Sequence, residues 1–336
     1  MSPIYVTFLN RLDIEELALT NDEILAAIET SLGAQGRGQT VIEPRVHLAP
    51  GQSNGHFNVL RGAINAPVDR AGIKVVGDFV DNYQRGLPSE VALLTLYDPA
   101  TGVPRAVMDA TVLTWLRTAA VTAIGARRLA RPDAAVVGHL GARGTALSNL
   151  RALAACFPLR EIRIASRRAA TRDALAARIA DELGVTARAV ERVDEAVDGA
   201  DIVVESTRLE RPEILIRSGD VKPGALVVTY GWVMAVDPAL PLSADKLVVD
   251  DWAQCRQGGQ LHPLIENGQL TRARVHAEIG EIVAGLRPGR TSPDERIVFW
   301  HRGFAISDIV LGQRILDRAE ARGVGQMLTL LETGAE

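Results

Sequence analysis

The sequence predicts an α/β protein of two domains: a Rossmann-like, doubly wound parallel sheet and a mixed α/β domain. Three observations carry this. Strand-like and helix-like segments alternate from Asp133 to about Asp251, the pattern of a parallel sheet with crossover helices. Residues 1–130 give instead a helix followed by strands joined by polar turns. An amphipathic helix closes the chain. A length of 336 residues accommodates two domains at roughly 100–200 residues each.

The elements follow in order. NDEILAAIETSLGA reads as an acidic amphipathic helix, and VIEPRVHLAP, AGIKVVGDFV and SEVALLTLYD as antiparallel strands. DATVLTWLRTAAVTAIGARRLA is a long helix leading into the second domain. There DAAVVGHLG is a short buried strand entering a glycine turn, and GTALSNLRALAAC has helical spacing. EIRIAS is a strand, and RRAATRDALAARIADELG is a helix capped by Gly184. TARAV, the short helix VDEAVDGA, then DIVVEST, GALVVTYG and KLVVDD continue the alternation. FAISDIVLGQRILDRAEARG is an amphipathic helix expected to return to the first domain. The domains are therefore set at 1–130, completed by 304–336, and at 131–303.

Composition excludes several classes. Apolar content of 47% and charged content of 23% are those of a globular protein. A net charge of -4 gives no broad basic field, which argues against a nucleic-acid partner. Two cysteines, Cys156 and Cys255, make no disulfide framework and point to a reducing compartment. The start, MSPIYVTFLNRLDIEEL, has no long apolar run. No signal peptide or membrane span is expected, and the chain is read as cytoplasmic. The six histidines are scattered without metal-ligand spacing, so no metal is expected.

The stretch VVGHLGARGTAL resembles the glycine-rich turn of a dinucleotide site with one residue changed. Gly141 is the first glycine of G-x-G-x-x-G, Arg143 replaces the second and Ala146 the third. The turn follows a strand and opens a helix, whose free N–H groups and positive dipole end suit a pyrophosphate. Gly141, Ala142, Arg143 and Gly144 are read as cofactor-binding, with Arg143 pairing with the pyrophosphate. In the opposing reading Arg143 blocks the site. At the end of the next strand an acid would select NAD(H); Ser166, Arg167 and Arg168 stand there instead, which favours NADP(H) over NAD(H). Ser206, Thr207 and Gly231 end later strands, where cofactors lie in open α/β sheets.

Taken together, EPR, GIKVV, YDPATGVPRAVMDATVLTWLRTAAVTAIGARRLARPDA, VVDDWAQ, EIGEIVAGLRPGRTSPDE and GFAISDIVLG resemble the ornithine cyclodeaminase/μ-crystallin family over nearly the whole chain. The resemblance implies NAD(P) in the Rossmann domain and an amino acid, or its imine or keto form, in a cleft against the other domain. It also implies a homodimer formed through that other domain. Reactions of the family include ornithine cyclodeamination, amino-acid dehydrogenation and imine reduction. Arg45, Lys74 and Arg117 match the family's substrate-binding positions. Guanidinium groups suit a carboxylate by bidentate hydrogen bonding. Lys74 is a point donor that also polarises a C=N or C=O bond, and it is read as catalytic.

Two departures from the family pattern narrow the reaction. The family has G-x-D-x-P-G-K where this chain has Gly231-Trp232-Val233, so the aspartate credited with proton transfer is absent; Asp237 is read as a helix cap. That lowers the prospect of ornithine cyclodeamination, which needs repeated proton transfers. The family's F-K-S-x-G is Trp300-His301-Arg302-Gly303 here up to the glycine. His301 is a candidate proton donor, since an ordinary histidine titrates near neutrality. Arg302 is a candidate for a second substrate carboxylate, and His56 a further substrate-binding candidate. The preferred reading is an NAD(P)H-dependent imine reductase or amino-acid dehydrogenase. A cyclodeaminase-like lyase using bound NAD and a non-enzymatic NADP- or ligand-binding protein are the alternatives.

Overall fold

The computed structural model describes residues 3–51, 55–65 and 67–332. The chain divides into two compact units, Met1–Arg117 with Phe304–Glu336, and Thr118–Gly303. The division falls inside the long helix Thr111–Leu129, whereas the sequence reading opens the second domain at 131. The reason is packing. Thr122 bonds His301 at 3.0 Å, and a Cβ at Gly125 would stand 2.3 Å from a ring carbon of Phe299, so this half of the helix lies flush against the second unit's own residues.

The first unit is built on a mixed sheet. Its strands are β1 (Ile4–Leu9), β2 (Thr40–Leu48), β3 (Gly55–Ile64), β4 (Arg70–Phe79), β5 (Glu90–Tyr97) and β6 (Pro104–Asp109). β2 to β6 pair antiparallel in sequence order, and β1 adds in parallel to β6. The alternation expected of a half-buried strand is visible in β4: Gly72 and Lys74 are buried while Ile73 and Val75 are exposed. The helix Asn21–Gly36 packs against the helix Ala305–Arg322, which covers one face of the sheet. The second approaches closely because the sheet is bare beneath it. A Cβ at Gly62 would sit 2.9 Å from Ile306, and one at Gly72 2.6 Å from Ile309. The opposite face leaves Val46, Val75, Leu93, Leu48 and Val91 exposed, and the first three share one cross-strand row.

The second unit holds eight parallel strands: β7 (Val136–Leu140), β8 (Glu161–Ala165), β9 (Thr186–Val190), β10 (Ile202–Glu205), β11 (Leu226–Thr229), β12 (Lys246–Val249), β13 (Val275–Glu278) and β14 (Ile297–Trp300). Their order is β13-β12-β14-β11-β10-β7-β8-β9. The order reverses between β7 and β10, the topological switch point. β14 enters between β11 and β12, and every residue of it is buried. Its four-residue run, IVFW, is too short to carry a periodicity, and the sequence reading did not assign it. Gly184 caps its helix in the left-handed conformation as expected, at φ 65°. After the tail helix, β15 (Gln326–Leu331) pairs antiparallel with β1 in the first unit. No helix among the described residues is long and apolar enough to cross a membrane.

Candidate functional site

In the first unit, three charged side chains meet where water is excluded. Lys74 and Asp308 are fully buried, and Arg117 is nearly so. The ammonium of Lys74 donates to Asp308 Oδ1 at 2.6 Å and to Thr114 Oγ1 at 3.2 Å. Arg117 Nε donates to the same Oδ1 at 3.2 Å. The glycines at 62 and 72 bring the tail helix close enough to set Asp308 on Lys74. Among the described residues, neither Asp308 Oδ2 nor Arg117 Nη1 has a hydrogen-bond partner. While Lys74 is protonated two cations share one anion here, which leaves a surplus positive charge, and Arg117 Nη1 remains a free guanidinium donor among the described residues. That composition fits a carboxylate ligand.

Burial lowers the Lys74 pKa to about 7; the Asp308 charge opposes this, while Arg117 and Arg45 add to it. Arg45 reaches this neighbourhood through a bulge in β2. Glu43 pairs with Arg61 and Val46 with Val59, so Pro44 and Arg45 together oppose Leu60, itself the partner of Lys74. His56 is less close. It lies on the same sheet face but opposite Asp78, four residues along β4 from Lys74, or ~13 Å at ~3.3 Å per residue.

In the second unit the glycine turn stands at the switch point. Gly141 adopts φ +103°, and a Cβ there would lie 2.7 Å from Ser206 Oγ. Gly144 also has positive φ, at 58°. The helix Ala146–Ala154 begins without a side-chain cap, and Ala146 N donates to the Arg143 carbonyl at 3.2 Å. Arg143 and Gly144 are exposed, Ala142 half-buried. A nucleotide diphosphate fits this cradle: a close backbone, an uncapped helix start and an exposed guanidinium. Arg167 and Arg168 are exposed at the start of the helix Ala169–Leu183, and Ser166 is half-buried, its carbonyl accepting from Arg172 at 3.2 Å.

Against the turn lies a partly buried polar seam that sequence reasoning missed. The hydroxyls of Tyr230 and Thr145 share a 2.5 Å hydrogen bond, and Asn149 Nδ2 donates to Tyr230 at 2.6 Å. Burial raises the Tyr230 phenol to about 12 and lowers His139 to about 4, so both are neutral at pH 7. Neutral His139 then donates from Nδ1 to the Gly141 carbonyl at 2.8 Å. The turn is thus hydrogen-bonded at both ends, at Gly141 and at Thr145.

Glu205, fully buried at the end of β10, accepts from Thr207 N at 2.8 Å, Thr229 Oγ1 at 2.8 Å and Gln260 Nε2 at 2.6 Å. A Cβ on Gly231 would stand 3.2 Å from Glu205 Oε2 and 3.4 Å from the Thr207 carbonyl. Thr207 and Gly231, both read as cofactor neighbours, are therefore brought together by this carboxylate. Its signal was present in the sequence, as one acid inside the apolar run DIVVEST. Asp308 gave the same signal inside FAISDIVLG, since a buried acid is rare without partners.

His301 is fully buried. Its Nε2 meets Thr122 Oγ1, and its ring centroid lies 5.0 Å from that of Tyr230 and 5.0 Å from that of Phe299. Arg302, half-buried, stacks on Trp232. Asp237 caps as expected, accepting from Ala239 N at 2.9 Å and Ser218 Oγ at 2.7 Å.

The model of the ornithine cyclodeaminase/mu-crystallin family matches residues 6–323. The chain belongs to that family. Its similarity to solved members spans nearly the whole length. The Δ1-pyrroline-2-carboxylate reductase of Thermococcus litoralis, in complex with NADH and L-proline, is 26% identical with a TM-score of 0.90, covering 96% of this chain and 99% of that one. An archaeal alanine dehydrogenase dimer with bound NAD is 29% identical, TM-score 0.90, covering 98% and 100%. The iminosuccinate reductase of Paracoccus denitrificans, in complex with NAD+, is 27% identical, TM-score 0.88, covering 97% and 100%.

Proposed function

We propose that this member of the family is a nicotinamide-dependent oxidoreductase acting at the carbon–nitrogen bond of an amino or imino acid, and that it reduces a carboxylated imine. One observation carries the reading: the buried cluster of Lys74, Asp308 and Arg117, which combines a carboxylate-binding guanidinium with an ammonium tuned toward neutrality. The solved relatives that reduce pyrroline-2-carboxylate and iminosuccinate or oxidise alanine support it.

The nicotinamide supplies or takes up hydride. Gly141, Ala142, Arg143 and Gly144 hold its pyrophosphate, and Arg167 and Arg168 favour NADP(H). Ser206, Thr207 and Gly231 neighbour it at the carboxyl ends of the strands. Arg117 and Arg45 hold the substrate carboxylate. Lys74 polarises the C=N bond and gives its proton to the nitrogen as the carbon is reduced; in the reverse direction, neutral Lys74 takes that proton back. This role falls to Lys74 rather than His301, whose buried ring is engaged by Thr122 and two aromatic neighbours. Arg302 receives a second carboxylate on the substrate. The exposed apolar face of the first unit's sheet joins two copies into a homodimer.

Cyclodeamination is disfavoured. No carboxylate follows Gly231, and Asp237 is committed to Ala239 and Ser218. The test is NADPH consumption with a panel of cyclic and linear imino acids, run beside ammonia release from L-ornithine with NAD+. Imine reduction without ammonia release is expected; the opposite pattern would overturn the reading.

A further inference from the structure

We propose that Asp308 is a substrate-contacting residue whose free oxygen, Oδ2, accepts a hydrogen bond from the N–H of the substrate nitrogen. The inference rests on the oxidoreductase reading above and names which group of this chain recognises nitrogen. A fully buried carboxylate needs its lone pairs occupied. Asp308 Oδ1 is used twice, by Lys74 Nζ and Arg117 Nε, while Oδ2 has no partner among the described residues. Arg117 Nη1, in the same cluster, is a buried donor also without one.

The cluster therefore offers one acceptor and one donor, carried by two side chains that already bond to each other. An α-amino acid, or an imino acid protonated at nitrogen, presents the complement: an N–H to give and a carboxylate to receive. A ligand with a carboxylate but no N–H satisfies Arg117 and leaves Asp308 Oδ2 unpaired. In the reduction, the one proton that the imine nitrogen needs comes from Lys74 and becomes the N–H, and the carbon takes the hydride; Asp308 accepts a hydrogen bond and transfers nothing.

Asp308→Asn separates this role from a structural one. Lys74 and Arg117 both donate at Oδ1, so they fix the amide oxygen there and turn the NH2 group to the Oδ2 position, a donor where an acceptor stood. The probes are matched pairs, L-alanine with propionate and L-proline with cyclopentanecarboxylate, titrated by calorimetry with oxidised cofactor present. The wild-type protein is expected to prefer the nitrogen-bearing member of at least one pair. In Asp308→Asn that member should weaken at least tenfold. Its nitrogen-free partner should bind equally or more tightly, because a negative charge beside Arg117 is gone. Equal loss for both members, or no loss for either, overturns the proposal.

Cofactor affinity checks that the variant is folded. If it is not, Asp308→Glu keeps the charge and displaces the free oxygen, and it must show the same selective loss. If the wild-type protein binds these pairs and reduces imines while the variants lose both members equally, only Asp308's role fails. If the wild-type protein binds neither member and reduces no imine, the oxidoreductase reading fails and takes this proposal with it.

Discussion

The guanidinium carbon of Arg302 stands 3.8 Å from the ring centroid of Trp232. These residues belong to the two segments read in the sequence as departures from the family pattern, and the structure brings them into one contact. Gly258 makes room for it: a Cβ there would lie 2.0 Å from the Trp232 ring, and its φ of +152° suits glycine alone. Trp232 is 48% exposed, so one ring face holds the cation while the residue stays open to solvent. Arg302→Ala should lower kcat/KM for a dicarboxylated imino acid by ~10- to 100-fold, the range of a charged hydrogen bond of about 1.5–3 kcal/mol. A monocarboxylated imine should change little. Equal losses with both would show that Arg302 supports the fold and not the second carboxylate.

Lys74 predicts opposite pH dependences for the two directions. In the proposed role its ammonium donates the proton for reduction, and burial lowers its pKa to about 7. Reduction should therefore fall as pH rises through about 7, while amino-acid oxidation, which needs the neutral amine, should rise. Lys74→Ala should abolish both. Stability carries its own sign. Between about 7 and the ordinary value of 10.5 the unfolded chain holds more protons at this site than the folded one, so this group's contribution to stability increases with pH across that window. Lys74→Met should remove that increment, measured by denaturant unfolding at pH 6.5 and 9. An unchanged slope would mean that the site titrates elsewhere.

Arg167→Ala should cost about 1.5–3 kcal/mol toward NADPH and little toward NADH, if a charged pair binds the 2′-phosphate. Fluorescence titration of both cofactors measures this. Equal or tighter wild-type binding of NADH would reject the NADP(H) preference.

The row of Val46, Val75 and Leu93 on the open sheet face should be covered in a homodimer. Light scattering at micromolar concentration should give twice the chain mass, and Leu93→Glu should give a monomer by placing a charge in that face. A wild-type monomer would refute the assembly.

Most of the fold was legible because its elements repeat locally. The strand and helix periods from Val136 to Val249 named β7 to β12, and the glycine turn marked where the first helix begins. IVFW was not legible, because a four-residue strand has no period and its place between β11 and β12 is set by long-range pairing. The buried cluster of Lys74, Arg117 and Asp308 was half legible. Lys74 and Arg117 stood out as cations in apolar runs, and their identity as a pair with Asp308 did not.

By itself the sequence determined the two-domain α/β architecture, the glycine turn and the cations of the buried cluster. These depend on residue type and spacing within one element. Tertiary structure alone decided that Asp308, 234 residues from Lys74, binds it at 2.6 Å. It also decided that His301 is packed against the rings of Tyr230 and Phe299 and that Arg302 stacks on Trp232. The physical reason is that burial and ion pairing depend on which distant segments the sheets and the bare glycines at 62 and 72 bring together. No local periodicity records that distance.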